Sequence, residues 1–136
     1  MKKVRYGIIG MGNQGSYYAN LFADGKIENG ELAAVCDNNK NKLGFARQKY
    51  GEMLKYFDDY RDMIASGECD AVLVETPHYQ HPDIVIDCLK KGMNVICDKP
   101  AGVYTEQVRK MNEFAKKCKV RFGMMFNQRT NCLYRI

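Results

Sequence analysis

The chain has 136 residues, which is enough for one ordinary domain and too few for two. Its hydrophobic share of 46% and charged share of 27% are typical of a globular protein and exclude a disordered or fibrous one. No apolar run is long enough to cross a bilayer or to form a secretory signal peptide. We therefore expect a soluble, cytoplasmic protein that does not contact a membrane.

The 21 basic and 16 acidic residues leave a formal net charge of +5. Such a balance would suit a phosphate-bearing ligand or a nucleic acid. The lysines and arginines are scattered along the chain and are not massed in a stripe. A mildly basic, solvated surface is therefore the favoured interpretation, and we expect no nucleic-acid partner.

The six cysteines raise the possibility of disulfides or a metal site. No two of them have C-x-x-C spacing, and none lies in a His/Cys cluster with the spacing of metal ligands. We expect no metal, and we predict reduced, buried and unreactive thiols at Cys36, Cys69, Cys88, Cys97, Cys118 and Cys132.

The first part of the chain alternates between strand and helix patterns. Val4–Ile9 is rich in β-branched and aromatic residues, and a glycine-rich turn follows it. Apolar residues then recur at helical spacing over Asn13–Ala23. A second strand is predicted over Gly30–Cys36, and a second helix over Lys40–Tyr50 ends at Gly51.

The alternation continues to Phe126. The predicted elements are a strand at Leu54–Phe57, a helix at Tyr60–Ala65, a strand at Ala71–Val74, a helix at Asp83–Lys91, a strand at Asn94–Cys97, a helix at Thr105–Lys117 and a strand at Val120–Phe126. Such alternation predicts right-handed crossovers and a doubly wound α/β domain, a Rossmann-like parallel sheet with helices on both faces. We expect one dinucleotide-binding domain over residues 1–126 and a separate short segment over 127–136.

A glycine motif joins the first strand to the first helix. It reads Gly10, Met11, Gly12, Asn13, Gln14 and Gly15, matching G-x-G-x-x-G. Glycine at the first position permits a tight turn, at the second it lets a pyrophosphate approach the backbone, and at the third it allows close packing of helix on strand. The helix N-terminus supplies free N–H groups. The alternative is a glycine-rich turn without a ligand.

Asp37 stands at the end of the second predicted strand. A carboxylate there can accept hydrogen bonds from the adenosine ribose and repels a 2′-phosphate, which favours NAD over NADP. Lys40 is close in sequence and keeps NADP open. The simpler role for Asp37 is that of a turn or N-cap residue before the second helix, and the two roles are compatible.

Asp98, Lys99 and Pro100 follow another predicted strand. Because the carboxyl ends of parallel strands share one edge, Asp98 and Lys99 should face the same crevice as the glycine turn. There Lys99 could hold a substrate hydroxyl and assist proton transfer, with its pKa lowered by burial or by a positive nicotinamide. A surface lysine before a proline is the alternative.

Four further candidate residues follow strands at the same edge. Thr76 and Pro77 could form a wall against the cofactor ribose, and Arg129 could meet a cofactor phosphate or a substrate carboxylate. His81 could reach the site, although a structural histidine with satisfied ring nitrogens is the favoured alternative.

Taken together, these motifs resemble the Gfo/Idh/MocA oxidoreductase family over essentially the whole chain. The motifs occur in the order Gly10-x-Gly12-x-x-Gly15, Asp37, Thr76-Pro77 with His81, Lys99-Pro100 and Arg129. The resemblance implies a Rossmann domain that binds NAD or NADP. It also implies that Lys99 assists catalysis at a sugar or polyol hydroxyl, so we expect NAD as the cofactor and a sugar or polyol as the substrate of the complete protein.

Two departures from the family pattern bear on these expectations. The family usually has Glu before the lysine, where this chain has Asp98, which keeps the charge but shortens its reach. Family members also carry a C-terminal α/β domain with the substrate pocket and the oligomer interface. We therefore expect residues 127–136 to be the lead-in helix of that domain.

It follows that the isolated chain should bind NAD without efficient turnover, and that homo-oligomers should form only with the C-terminal domain present. The alternatives are a non-catalytic NAD-binding sensor or regulatory module and, least favoured, a Rossmann methyltransferase.

Overall fold

A computed structural model describes residues 2–134 of the chain. Its centre is a six-stranded sheet in the order β3-β2-β1-β4-β5-β6. Every pairing is parallel. The strands are β1 Val4–Ile9, β2 Gly30–Cys36, β3 Lys55–Phe57, β4 Ala71–Val74, β5 Asn94–Asp98 and β6 Phe122–Met125.

Helices connect the strands and cover both faces of the sheet. They are α1 Asn13–Ala23, α2 Lys40–Tyr50, α3 Tyr60–Ala65, α4 His81–Lys90 and α5 Thr105–Lys117. The first three strands are added to the sheet in one direction from β1, and the last three in the opposite direction from β4. The boundary between β1 and β4 therefore separates the two halves of the sheet. The prediction of a doubly wound, Rossmann-like domain is therefore confirmed.

Two hydrophobic clusters hold these layers together. Ile8 and Leu73 from the sheet pack with residues of α1 and α2 on one face. On the other face, strand residues such as Val72 pack with Met63 of α3 and Met111 of α5. The central strand β4 is buried over all of its residues, as its continuous apolar sequence predicts for a strand covered on both sides.

The helix α4 begins earlier than the sequence predicts. It spans His81–Lys90, whereas the prediction was Asp83–Lys91. The sequence pattern places Pro82 before the helix. Proline nevertheless fits the first turn, because the N–H groups there have no partner within the helix and their absence costs nothing. His81 is consequently part of the helix itself.

The edge strands are shorter than predicted because their neighbours limit them. β3 begins at Lys55, where its pairing with β2 begins. β6 covers Phe122–Met125 and not residues 120–126, since β5 offers partners only from Val95 to Asp98.

The expected helix over residues 127–136 does not form in the described part of the chain. Asn127–Thr130 and Cys132–Tyr134 are instead short 3₁₀ turns. The side chain of Asn131 accepts a hydrogen bond from the Leu133 amide, and such local bonds compete with an α-helix. Most of these side chains are exposed, so little packing supports a helix. The last two residues of the predicted helix, 135 and 136, lie outside the described residues.

The cysteines are free thiols, and four of them are buried. Burial, as the main cause, raises the pKa to about 12 at Cys36, Cys88 and Cys97, which makes these thiols poor nucleophiles. The prediction of burial is wrong for Cys132, which is exposed, and Cys118 is only partly buried.

Residues 2–134 lack two further features. No helix there combines the length and the apolar character that a membrane span requires. The same residues contain no group of three or more His, Cys, Asp or Glu side chains that could hold a metal ion.

Candidate functional site

The glycine turn after β1 is built on close backbone contacts. Gly10 has a φ of +100°, and a Cβ atom there would lie 2.6 Å from the carbonyl oxygen of Glu75. A Cβ at Gly15 would overlap the carbonyl of Gly10. The Gly10 amide donates to the Cys36 carbonyl at 2.7 Å. The chain can therefore pass between β2 and β4 only because these positions lack side chains.

Gly12 differs from its two neighbours in the motif. A Cβ at Gly12 would meet nothing within 4 Å, so the protein's own packing does not require glycine there. Gly12 is the N-cap of α1, and among the described residues no side chain caps this end. The first turn also holds no acidic residue. Free N–H groups and open space are together what a phosphate-bearing ligand needs.

Asp37 lies at the end of β2 and touches the glycine turn directly. Its carboxylate, 7% exposed as a residue, accepts hydrogen bonds from the Met11 amide at 2.8 Å and from the Asn39 amide at 2.9 Å. The Nζ atom of Lys42 lies 3.5 Å away. The lysine that offsets this charge is thus Lys42 and not Lys40, which the sequence suggested.

Thr76 and Pro77 follow β4 at the same edge. The Oγ1 atom of Thr76 is buried and has no hydrogen-bond partner in the described structure. An orphaned buried hydroxyl is uncommon and is explained here if a ligand completes it. Pro77 is exposed beside it.

His81 is fully buried at the start of α4. Its ring nitrogens lie 2.8 Å from the carbonyl oxygens of Thr76 and Pro100. Both nitrogens therefore face backbone carbonyls, which favours the structural alternative, although a neutral ring can donate to only one of the two. The ring ties the loop after β4 to the loop after β5.

Asp98 is the last residue of β5, and Lys99 follows it. Asp98 is half-buried, and Lys99 is exposed and joined to Pro100 by a cis peptide bond. An exposed position at the carboxyl edge leaves the Lys99 ammonium accessible to a small molecule.

Arg129 lies in the 3₁₀ turn after β6. Its guanidinium stacks over the Phe126 ring at 4.9 Å. It lines a groove with Tyr17 and Tyr18 of α1, on the β6 side of the sheet.

A cleft of about 640 Å³ brings together part of the predicted site. It is lined by Gly10, Thr76 and Pro77, with Asn38 from the loop after β2 and Lys42 from α2. Lys99 and Arg129 do not line this cleft. The structure thus groups the glycine turn, β2 and β4 ends closely and places the β5 and β6 candidates further along the same edge.

Glu75 is a polar residue of this edge that the sequence reasoning left out of the candidate site. It is 9% exposed, and neither carboxyl oxygen has a hydrogen-bond partner in residues 2–134. Burial, and then the charge of Asp98, raise its pKa to about 8. An acidic residue directly after a fully apolar strand was the available signal, because such a position is buried on both sides.

The family of the chain follows from a comparison over nearly its full length. The model of the GFO_IDH_MocA family, described as an oxidoreductase family with an NAD-binding Rossmann fold, matches residues 4–126. The chain belongs to the Gfo/Idh/MocA family. The resemblance found from the motifs is therefore confirmed, and this region is the family's NAD-binding Rossmann domain.

Family members of known name are similar at about a third identity. The rhizopine catabolism protein MocA of Rhizobium meliloti is 35% identical over 121 residues, covering 88% of this chain and 36% of that protein. The myo-inositol 2-dehydrogenase of Thermotoga maritima is 32% identical over 126 residues, covering 93% of this chain and 37% of that enzyme.

Solved structures of the family share the fold. The scyllo-inositol dehydrogenase of Lactobacillus casei, solved with NAD(H) and scyllo-inositol bound, has a TM-score of 0.92 and 27% identity, covering 98% of this chain and 39% of that one. The myo-inositol 2-dehydrogenase of Lactobacillus plantarum has a TM-score of 0.90 and 31% identity, again covering 98% and 39%. The Gfo/Idh/MocA chain described here thus spans well under half the length of these relatives.

Proposed function

We propose that this chain is the cofactor-binding part of an NAD-dependent dehydrogenase that acts on a sugar, polyol or related alcohol. The observation that carries the proposal is the uncapped N-terminus of α1 at Gly12, open to solvent and next to the buried carboxylate of Asp37. The orphaned hydroxyl of Thr76 beside the cleft adds a third group that a dinucleotide would complete.

The preference for NAD over NADP rests on Asp37. A carboxylate at the end of β2 disfavours the additional phosphate of NADP by charge repulsion. Lys42, 3.5 Å from that carboxylate, offsets part of the repulsion. We therefore propose a preference for NAD that is moderate and not absolute.

Lys99 is the residue we propose for proton handling. When bound, NAD supplies the acceptor for a hydride. In its uncharged amine form, the exposed Lys99 side chain just after β5 would accept a hydrogen bond from the substrate hydroxyl and take its proton as the carbonyl forms, which leaves an ammonium.

We propose that substrate recognition needs residues outside the 136 of this chain. The chain spans about 36% and 37% of the length of the relatives named above. We propose that the 136-residue chain binds NAD without efficient turnover, because poor orientation alone lowers rates by many orders of magnitude. We place it in the cytoplasm, since its free cysteines suit a reducing compartment, and we propose homo-oligomers only for a form with a substrate domain.

Calorimetry of the 136-residue chain with NAD, NADP and S-adenosylmethionine tests the cofactor. We expect NAD to bind more tightly than NADP, and S-adenosylmethionine not to bind. Binding of S-adenosylmethionine alone would instead indicate a methyltransferase. Binding of none of the three compounds would rule out the proposed function.

A Lys99→Ala variant tests the catalytic assignment. NAD affinity should change by less than about twofold, because an exposed side chain leaves the fold intact when it is truncated. In a longer form of the protein that oxidises a polyol, the same variant should lower turnover by at least about 100-fold. If turnover is unchanged, another residue moves the proton, and a longer form that binds NAD but oxidises nothing would be a sensor.

A further inference from the structure

Glu75 and Asp98 form a pair of carboxyl groups at the edge of the sheet. Val74 of β4 pairs with Cys97 of β5, so the residues that follow them, Glu75 and Asp98, lie side by side. Side chains alternate along each strand, and Leu73 belongs to the cluster beneath α1. Glu75 and Asp98 therefore face the side of the sheet that α1 covers.

Glu75 lines the cleft together with Lys42 and Arg61, but among the described residues the ion pairs of these two cations are with Asp37, Asp59 and Asp87. No ion pair of Glu75 occurs within residues 2–134, and its buried carboxyl oxygens have no hydrogen-bond donor there. The titratable groups coupled to Glu75 by charge are Asp98 and the Cys97 thiol on β5 and Tyr18 on α1. Further titratable side chains line the same cleft, namely Asp58, Asp59, Tyr60, Tyr79 and Asp83. Burial is the main cause that raises the pKa of both Tyr18 and Cys97, and the charges of Glu75 and Asp98 raise both further.

This environment determines the state of Glu75 near neutral pH. Burial and the negative Asp98 raise its pKa to about 8. An acid with that pKa is mostly protonated at pH 7. Glu75 is thus mostly an uncharged carboxylic acid at pH 7.

The order of the strands indicates which half of a dinucleotide would meet Glu75. Asp37 directly follows β2, the glycine turn follows β1, and β4 lies on the other side of β1. With the adenosine ribose at Asp37 and the pyrophosphate at the turn, the nicotinamide half extends over β4 and β5. This step rests on the proposed function.

We propose that Glu75 sets the preference of the site between the oxidised and the reduced dinucleotide. The nicotinamide ring carries one positive charge when oxidised and none when reduced. Binding of the oxidised form favours the carboxylate, so the proton of Glu75 leaves to solvent as the ring arrives. Binding of the reduced form leaves that proton in place.

The sign of the pH dependence follows from this linkage. A group whose pKa is lower in the complex than in the free protein makes binding tighter as pH rises between those two values. We expect the ratio of NADH to NAD⁺ dissociation constants to rise about tenfold between about pH 6.5 and about pH 9, as a unit charge several ångströms away implies. Calorimetry with both forms at each pH measures this ratio.

The Glu75→Gln variant keeps the shape of the neutral acid but cannot ionise. Its ratio of dissociation constants should stay constant with pH, at the value that the unchanged protein has at low pH. Glu113→Gln, a change at an exposed position of α5, is the matched control and should keep the rise. In Asp98→Asn, the rise should begin at lower pH, because the neighbouring charge that holds the proton on Glu75 is gone.

A second readout needs no binding ratio. Carbon-13 NMR of labelled glutamate carboxyls in the cofactor-free protein should show one midpoint near pH 8 that is missing from Glu75→Gln. Saturating NAD⁺ should lower this midpoint, and NADH should not. A normal glutamate midpoint, or equal midpoints with both dinucleotides, would overturn the role of Glu75.

The results separate this inference from the proposed function. If both dinucleotides bind with a ratio that does not change with pH, Glu75 has no such role and the proposed function stands. If neither dinucleotide binds at any pH, both the proposed function and the role of Glu75 are rejected.

Discussion

The Met11 amide donates a 2.8 Å hydrogen bond to the carboxylate of Asp37, which joins the glycine turn after β1 to the end of β2. One buried side chain therefore shapes the turn and brings a negative charge to the place where we propose the adenosine ribose to bind. A second amide, that of Asn39, fixes the other carboxylate oxygen. The position of that charge is thus determined by the backbone before any ligand arrives.

Removal of this charge should change cofactor preference. Asp37→Asn retains an acceptor for Met11 but loses the repulsion toward a 2′-phosphate, and Lys42 then lacks its partner. We expect the NAD-to-NADP affinity ratio to fall about tenfold, the equivalent of roughly 1.4 kcal/mol. Calorimetry with both cofactors measures it, with Asp24→Asn at an exposed position as the control. An unchanged ratio would mean that Asp37 serves the turn alone.

Gly12 and Gly15 should separate binding from stability. Gly12→Ala places a methyl group in open space, so thermal unfolding should be nearly unchanged while NAD affinity falls at least about tenfold through blocked approach of the pyrophosphate. Gly15→Ala drives a methyl group into the Gly10 carbonyl and should destabilise the fold by about 3 kcal/mol.

The control for this pair is Gly44→Ala in the interior of α2, where a Cβ also meets nothing. It should stabilise the protein by about 0.5–1 kcal/mol, since alanine favours a helix more than glycine does. Urea unfolding and calorimetry on the three variants give both quantities. If Gly12→Ala binds NAD normally, the pyrophosphate does not lie at this turn.

His81 should contribute to stability through two loops at once. Its ring contacts the carbonyls of Thr76 and Pro100, and both partners are acceptors, so a neutral ring with one N–H donates to only one of them. His81→Ala should cost about 3 kcal/mol, through the cavity and the lost bonds.

The same variant should weaken NAD binding, because the loop after β4 lines the cleft. The control is His78→Ala at an exposed neighbouring position, which should change stability by no more than about 0.5 kcal/mol. Equal effects of the two changes in denaturant unfolding would contradict a bridging role for His81.

The ion pair of Arg5 and Asp70 should make stability depend on pH in the acid range. The Nη2 to Oδ1 distance is 2.7 Å, and the Arg5 amide also donates to Asp70. These bonds to Arg5 lower the pKa of Asp70 to about 2. The folded-state value is depressed, so the contribution is present above the unfolded pKa of about 4 and is lost as pH falls toward 2.

Both side chains are about a third exposed, so solvent screening limits the size of this contribution. We expect Asp70→Asn to cost at most about 1 kcal/mol at neutral pH and to have almost no effect near pH 2. Urea unfolding across this range measures the difference. A cost that does not depend on pH would mean that the charge of Asp70 is not what stabilises the pair.

The sequence was sufficient to predict the alternation of strands and helices. Helix α2 has the predicted bounds because Asn39 caps its start through its side chain and Gly51 ends it with a φ of 72°. Both signals are local. The bounds of β6 were not predictable, since they depend on how much of β5 lies beside it.

Site residues were predictable where backbone geometry selects the residue type. Gly10 and Gly15 lie in contacts that exclude a side chain, and the G-x-G-x-x-G motif predicts glycine at both positions. The partners of His81 and the acidic neighbour of Glu75 come from loops and strands distant in sequence, so no local pattern indicates them. Lys42 contacts Asp37 only because α2 turns it toward the strand end.

The pairing of β1 with β4 has a consequence for how the chain folds. Ile8 lies opposite Leu73, and both are core residues of the same cluster. The middle of the sheet therefore cannot form until β4 has been synthesised. Pairing of β4 with β1 closes a long loop of chain, and the entropy lost in that closure slows early folding. The glycine turn after β1 leaves the ribosome early. It is held in its final shape only after β4, a much later strand, has been synthesised.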